Sequence, residues 1–326
     1  MTEVTIIIPN YNGKHFLKPC LDSIKKQSYK DFVTIVIDNG STDGSREIVE
    51  QEYPWVKLVK REKNYGFCNA VNMGIHLSKT PYVLLLNNDT EADKDFVKEL
   101  YAMIKQDKRI FSVSSKMLNY KERELLDDAG DMYCVLGWPF QRGVGRKASY
   151  YKNAAPVFSS CAGAAIYRCS IFEEIGYFDE NHFAYLEDMD IGYRARKYGY
   201  LNYFCPTAEV YHVGSGTSGS KYNEFKVRHS SRNSVYLNYK NMPAWQLILN
   251  FPALLAGYFI KWLFFVKIGF GKTYVKGIVE GFCTLGKVKK VPFQKGHIKN
   301  DICLEIELIR NMFIYLYEFG KRKIES

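Results

Sequence analysis

Val4-Thr5-Ile6-Ile7-Ile8-Pro9-Asn10-Tyr11-Asn12-Gly13 opens with a continuous apolar run that stops abruptly in polar and turn-forming residues. A run that is apolar at nearly every position, rather than every second one, suits a strand covered on both faces, as in a parallel sheet. Val83-Leu84-Leu85-Leu86, closed by Asn87-Asn88-Asp89, repeats the pattern. Residues 4–8, 32–37, 57–59 and 82–86 read as strands, and the amphipathic segments after Gly13, Thr42, Gly66 and Ala92 read as helices. The alternation predicts an α/β fold with a mostly parallel central sheet flanked by helices, its ligands gathered at the carboxyl ends of the strands. Residues 110–240 are less regular. A helix is expected over 187–198, a glycine-serine loop over 214–220 and a further helix through Arg232, all in the same domain.

The 326 residues, 47% hydrophobic and 25% charged, suffice for a substantial core and exclude disorder, collagen and coiled coil. The formal charge of +10 is unevenly placed, because residues 240–326 hold 14 Lys/Arg against 6 Asp/Glu. These lysines sit among Trp245, Phe251, Phe259, Trp262, Phe264 and Phe265, which favours an anionic membrane surface over nucleic acid as the partner. A boundary is expected near 240, dividing the α/β domain (1–240) from an aromatic and basic helical segment (241–326). The eight scattered cysteines form no CxxC pair and read as reduced thiols of a cytosolic protein. No signal peptide is expected, since Met1-Thr2-Glu3 runs directly into the first strand.

Several polar clusters fall at strand ends or helix starts. Asp38 ends a strand and precedes Asn39-Gly40-Ser41-Thr42-Asp43, where it can meet a base or ribose, or where Asn-Gly simply turns the chain and Ser41 or Thr42 caps a helix. Asn87-Asn88-Asp89 is a thin site for a divalent cation or a plain turn. Glu187-Asp188-Met189-Asp190 sets three acids at a helix start, where the macrodipole favours their ionised form; a general base needs that form, yet so does mere helix decoration. Asp190 and Arg194 are spaced to pair. His212 stands in a short strand as a core histidine or a ligand. Gly214-Ser215-Gly216-Thr217-Ser218-Gly219 matches a dinucleotide fingerprint only formally, coming too late in the chain, and reads better as a loop closing over phosphates. Gly271-Lys272-Thr273 lacks the upstream glycine of a P-loop.

Taken in order, Pro9-Asn10-Tyr11-Asn12, Asp38 to Asp43, Asn64-Tyr65-Gly66-Phe67 with Asn69 and Asn72, Leu86 to Asp89, Gly176 to Glu180, Glu187 to Asp190 and Val210-Tyr211-His212 resemble glycosyltransferase family 2. The likeness covers roughly residues 3–240 and points to its rhamnosyltransferase-like bacterial branch and to the GT-A fold. The resemblance implies that Pro9, Asn10, Tyr11 and Asp38 hold the nucleoside, with Asp38 facing the pyrimidine base. Asn64, Gly66 and Asn69 would line the nucleotide and sugar side, with Asn87 and Asn88 beside them. Asp89, the last acid of the family's DxD motif, and His212 would hold Mn²⁺ or Mg²⁺, and Asp188 would be the catalytic base. The first acid of DxD is Asn87 here, which removes a charge and puts metal dependence in question.

The implied activity is inverting transfer of a sugar, rhamnose the best match, from a nucleotide-diphosphate donor to a glycan or lipid-linked acceptor in cell-surface polysaccharide synthesis. A non-catalytic nucleotide-sugar or glycan binder is the alternative that Asn87 motivates. Trp138, Phe140 and Arg142 would touch an acceptor sugar or pack on the domain. Residues 244–266 hold 18 apolar or aromatic members of 23, interrupted by Gln246, Asn250 and Pro252 and followed by six lysines. The lysines argue against a single outward span. They favour interfacial or re-entrant helices on the cytoplasmic membrane face, with a hairpin buried on the catalytic domain or on a homodimer partner as the alternative.

Overall fold

In the computed structural model, which describes residues 2–214 and 222–325, the opening run is β1 (Val4–Asn10), buried except at Pro9. Its successive side chains feed two different cores. Val4, Ile6 and Ile8 pack with Leu17, Leu21 and Ile24 of α1 (Lys14–Lys25), while Ile7 packs on the other side with Val71 and Ile75. This two-sided cover is why the strand is apolar without alternation.

Next come β2 (Phe32–Asp38), α2 (Ser45–Glu52), β3 (Lys57–Lys60), α3 (Phe67–Leu77) and β4 (Tyr82–Leu86), with β1 parallel to both β2 and β4. α2 starts at Ser45 after Gly44 rather than on a cap from Ser41 or Thr42, and the Asp43 carboxylate accepts the Ser45 amide. Asp43 also accepts from the Lys14 amide at the start of α1, tying two helix N-termini together.

The second half adds β5 (Thr90–Ala92), α4 (Phe96–Ile104), β6 (Ile110–Asn119), β7 (Leu126–Asp128), β8 (Asp131–Cys134), β9 (Trp138–Gln141), β10 (Ala155–Val157), β11 (Ala164–Arg168), α5 (Cys169–Ile175), α6 (Glu187–Lys197), β12 (Leu201–His212) and α7 (Glu224–Asn241). The main sheet runs β10-β12-β6-β11-β4-β1-β2-β3. It is parallel from β4 to β3, as the apolar runs predict, and mixed beyond, because β11 inserts antiparallel to both β4 and β6. β8 and β9 form a separate hairpin.

α8 (Ala244–Lys267), α9 (Gly271–Cys283) and α10 (Ile298–Glu325) follow Pro243. They are packed onto the sheet domain rather than trailing from it. Tyr133, Phe158, Met189 and Tyr193 share one apolar cluster with Leu254, Leu304 and Leu308. Gln246 and Asn250, the polar interruptions of α8, both donate to Glu305 of α10, at 2.7 and 2.8 Å. Lys197 at the end of α6 reaches Asp301 at 2.6 Å. The opposite faces stay exposed, with Ile248, Phe251, Leu255 and Phe259 on α8 and Ile302, Ile306, Ile309 and Phe313 on α10. By length and composition α8 is the kind of helix that can cross a membrane.

Candidate active site

The carboxyl ends of β1 and β4 and the start of α6 open onto one cleft of about 1080 Å³. Pro9, Asn10, Tyr11, Asn64, Asn87, Asn88, Asp89, Asp188 and His212 all line it. The two carboxylates expected to do the chemistry, more than ninety residues apart in sequence, therefore face the same space.

The floor is a polar network. Asn10 is buried, donates to Asp38 at 2.9 Å, Ser41 and Ser45, and accepts from Asn88 at 2.7 Å. Gly13 makes the last bond possible, since a Cβ there would lie 2.0 Å from the Asn88 amide nitrogen. Asn39 donates to Asn64 and to the Gly66 carbonyl, each at 3.0 Å. Gly66, at φ +93°, leaves room for the Phe183 ring, which a Cβ would meet at 2.6 Å. Three expected residues stand behind the lining. Asp38 is fully buried, its carboxylate engaged by Asn10, the Ser41 amide and Arg46. Burial opposes its charge, but the bonds from Ser41, Arg46 and Asn10 outweigh it and hold the group below the usual carboxylate range. Gly66 acts through its shape, and Asn69 donates to Glu180 at 2.7 Å.

His212, at the end of β12, sits between two carboxylates. Its Nδ1 is 2.7 Å from Asp127 and its Nε2 is 3.4 Å from Asp89. Burial works against a charged ring here, but Asp127 and Asp89 overcome it and push the imidazole up to about 10. A carboxylate oxygen and a ring nitrogen facing each other, with a second carboxylate orienting the ring from behind, is a donor set that fits a divalent cation in place of that proton. Asn87 adds a neutral amide whose backbone N–H bonds the Gly163 carbonyl. Lys226 of α7 also lines the cleft.

Asp188 stands in the first turn of α6, its Oδ1 accepting the Met189 amide at 2.7 Å. Burial raises its pKa above the usual aspartate value, against the backbone amides of Met189 and Ala162 that favour the charge. The helix start alone suggested the reverse; a half-buried cleft wall decides the sign. The chain enters α6 through Phe183, Tyr185 and Leu186, at φ 63°, 73° and 65°, a left-handed run that side-chain-bearing residues rarely adopt. Asn233 of α7 holds it, its amide donating to the carbonyls of His182, Ala184 and Tyr185. Asp190 faces away from the cleft, bound to Arg194, Lys240 and Asn241.

Phe140 lines the cleft and also meets Tyr315 of α10. Trp138 and Arg142 are packed on the domain, Trp138 donating to the Gly257 carbonyl and Arg142 lying over Tyr151 and Phe204. Asp127, Asp128, Asp131, Cys161 and Asn233 carried no expectation of a site from the sequence. The crowded acids of Leu125-Leu126-Asp127-Asp128-Ala129-Gly130-Asp131 were the available signal for three of them. The glycine-serine loop expected to cover phosphates lies, from residue 215 to 221, outside the described residues.

The structure thus presents a parallel half-sheet with a polar cleft at its strand ends, the Asp89–His212 pair on one side and the Asp188 carboxylate on the other. The family model for glycosyl transferase family 2 matches residues 5–176, and the chain belongs to that family. It is a glycosyltransferase. Among its relatives is the N-acetylglucosaminyl-diphospho-decaprenol L-rhamnosyltransferase of Mycobacterium tuberculosis, 25% identical over 76% of this chain and 88% of the relative. The O-antigen chain rhamnosyltransferase RfbN of Salmonella typhimurium is 27% identical over 68% and 70%. The fold is similar to that of S. aureus TarS solved with UDP-GlcNAc, with a TM-score of 0.58, 18% identity and coverage of 88% of this chain and 81% of that one. It is also similar to the mannosyltransferase PcManGT of Pyrobaculum calidifontis solved with GDP-Man and Mn²⁺, with a TM-score of 0.53, 15% identity and coverage of 93% and 87%.

Proposed function

We propose that the protein is an inverting glycosyltransferase that moves rhamnose from a nucleotide-diphosphate donor to a lipid-linked glycan acceptor at the cytoplasmic face of a membrane. The observation that carries the reading is the common cleft of Asp89, His212 and Asp188. In this reading the nucleoside lies over Pro9, Asn10 and Tyr11, with Asn64 and the Asn10–Asn88 pair setting its floor, and the sugar points toward Asp188.

The reaction is a single displacement. Asp188 accepts the proton of an acceptor hydroxyl as that oxygen forms its bond to the anomeric carbon, and the bond from that carbon to the diphosphate oxygen breaks with its electron pair. Attack from the face opposite the leaving group inverts the configuration. The raised pKa of Asp188 makes its carboxylate a stronger base than a solvated one. Asp89 and His212 would hold a divalent cation, which when bound supplies the positive charge that a departing diphosphate requires. Rhamnose and a lipid-linked acceptor are supported by the names of the two rhamnosyltransferase relatives.

Membrane contact is supported by the exposed apolar faces of α8 and α10 and by the neighbouring face of α9, which exposes Lys272, Val275, Lys276, Val279 and Phe282. Such a mixture suits an anionic lipid surface. The experiment is a donor panel read by release of nucleotide diphosphate with and without Mn²⁺ or Mg²⁺. Turnover of the rhamnosyl donor on a lipid-linked acceptor, abolished in Asp188→Asn, is expected; full activity of that variant removes the assigned base. Flotation with vesicles rich in phosphatidylglycerol, and not with phosphatidylcholine alone, checks the surface.

A further inference from the structure

Three donors outside the Asp89–His212 pair cluster at the wall of the same cleft. Asp128, Asp131 and Cys161 each offer one ligand atom, and these atoms lie within 4.8 Å of one another. That span is close to the diameter of a coordination sphere whose bonds are about 2.0–2.3 Å. Asp131 and Cys161 line the cleft, which gives an entry path, and Asp128 lies behind them with 0% exposure. Neither Asp128 oxygen has a hydrogen-bond partner at proper geometry.

The contrast with other buried acids of this chain is informative. Asp190 is met by Arg194, Lys240 and Asn241, and Asp301 by Lys197. Among the described residues no basic side chain pairs with Asp128 or Asp131. The amides of Gly130 and Ala129 and the charge of Arg142 only partly offset the burial of Asp128, and something that brings more positive charge to it stabilises the fold. Backbone pins the group in place, since Asp131 and Ser159 exchange N–H···O bonds at 3.0 and 3.1 Å and Ser159 donates its hydroxyl to the Asp188 carbonyl at 2.6 Å.

We propose that Asp128, Asp131 and Cys161 form a second divalent-cation site, separate from Asp89 and His212, on the cleft wall that also carries Asp188. Two carboxylates with one sulfur select an ion of the zinc and cobalt class over magnesium, which takes oxygen ligands. Binding expels the Cys161 thiol proton to solvent and leaves the thiolate on the metal, with no change in oxidation state. The site joins the start of β8 to the 161–163 turn, so its occupancy stiffens the wall against which an acceptor would lie. It goes beyond the transferase reading and does not depend on it.

The test uses the full chain, stripped with a chelator and titrated with Co²⁺. Two equivalents and a near-ultraviolet thiolate-to-cobalt charge-transfer band are expected. Cys161→Ser should abolish the band and Asp131→Asn should leave one equivalent, whereas Asp89→Asn should keep the band and lose the other equivalent. One equivalent without a sulfur band in the unaltered protein overturns the proposal. So does a band that survives Cys161→Ser, which would assign it to the exposed Cys283 or Cys303. Asp128→Asn raising the melting temperature in a protein indifferent to Co²⁺ would mean that the acids share a proton, and also overturns it.

Discussion

Replacing Asn233 by Asp reverses the polarity of the clamp that delivers Asp188 to the cleft. The Asn233 amide donates at 3.0, 2.9 and 2.7 Å to the carbonyls of His182, Ala184 and Tyr185, just before α6. Phe183, Tyr185 and Leu186 are all left-handed, at about 1–2 kcal/mol each, so the segment stores roughly 3–6 kcal/mol. The amide has two hydrogens for its three acceptors. Losing them forfeits about 1 kcal/mol per bond and leaves carbonyls unpaired, and the new carboxylate repels the same oxygens. A local bias of roughly 3 kcal/mol is therefore removed, comparable to the strain it holds in check, and at 1.4 kcal/mol per decade kcat should fall about 100-fold. The nucleotide floor at Asn10 is held by Asp38, Ser41, Ser45 and Asn88 and meets this segment only where Phe183 packs on Gly66, so the donor KM should change less than kcat. Initial rates of nucleotide release, with donor titration and a melting curve, separate the two parameters; Asn233→Asp turning over at the unaltered rate would refute the argument.

Three further outcomes are expected. The acid limb of the kcat/KM profile should lie above the ordinary aspartate range of about 4, because burial raises Asp188 and only its deprotonated form accepts a proton, and activity should rise with pH through that limb. Lys240→Met strips a buried ammonium from Asp179 and Asp190, bonded at 2.7 and 2.9 Å, and should cost about 3–5 kcal/mol in chemical denaturation. Asp190 is held well below the usual carboxylate range, so its contribution is present above about pH 4 and is lost as pH falls; the variant should show a flatter acid limb of stability. Glu187, buried and pushed up to about 8, keeps a proton that the unfolded chain releases above about 4.3, so it destabilises increasingly as pH rises. Glu187→Gln should therefore gain in unfolding free energy over the unaltered protein between pH 5 and 8, by on the order of 1 kcal/mol per pH unit in chemical denaturation.

Much of the N-terminal half was legible because its signals are local. Runs apolar at every position mark strands covered twice, and a polar triplet after such a run marks a strand end, which in an open α/β sheet is where ligands meet the fold. β1, β2 and β4, and the Asn10, Asn88 and Asp89 positions above them, follow from that logic. The antiparallel insertion of β11 and the short strands between residues 120 and 160 were not legible, since strands such as β7 and β10 carry too few residues to show a period.

The chain by itself settled that there is a doubly covered sheet, which strand ends are polar, and that the last quarter is basic and aromatic, because propensity, burial pattern and charge are properties of neighbours in sequence. Folding in three dimensions decided the rest. It turned Asp38 inward to support Asn10, seated Gln246 and Asn250 on Glu305, and brought Asp127, Asp128 and Asp131 to the wall shared by His212 and Asp188. It also set the sign of the shift at Asp188, where burial outweighs the helix start. These outcomes depend on distance and dielectric between residues tens to hundreds of positions apart, and no local pattern encodes them.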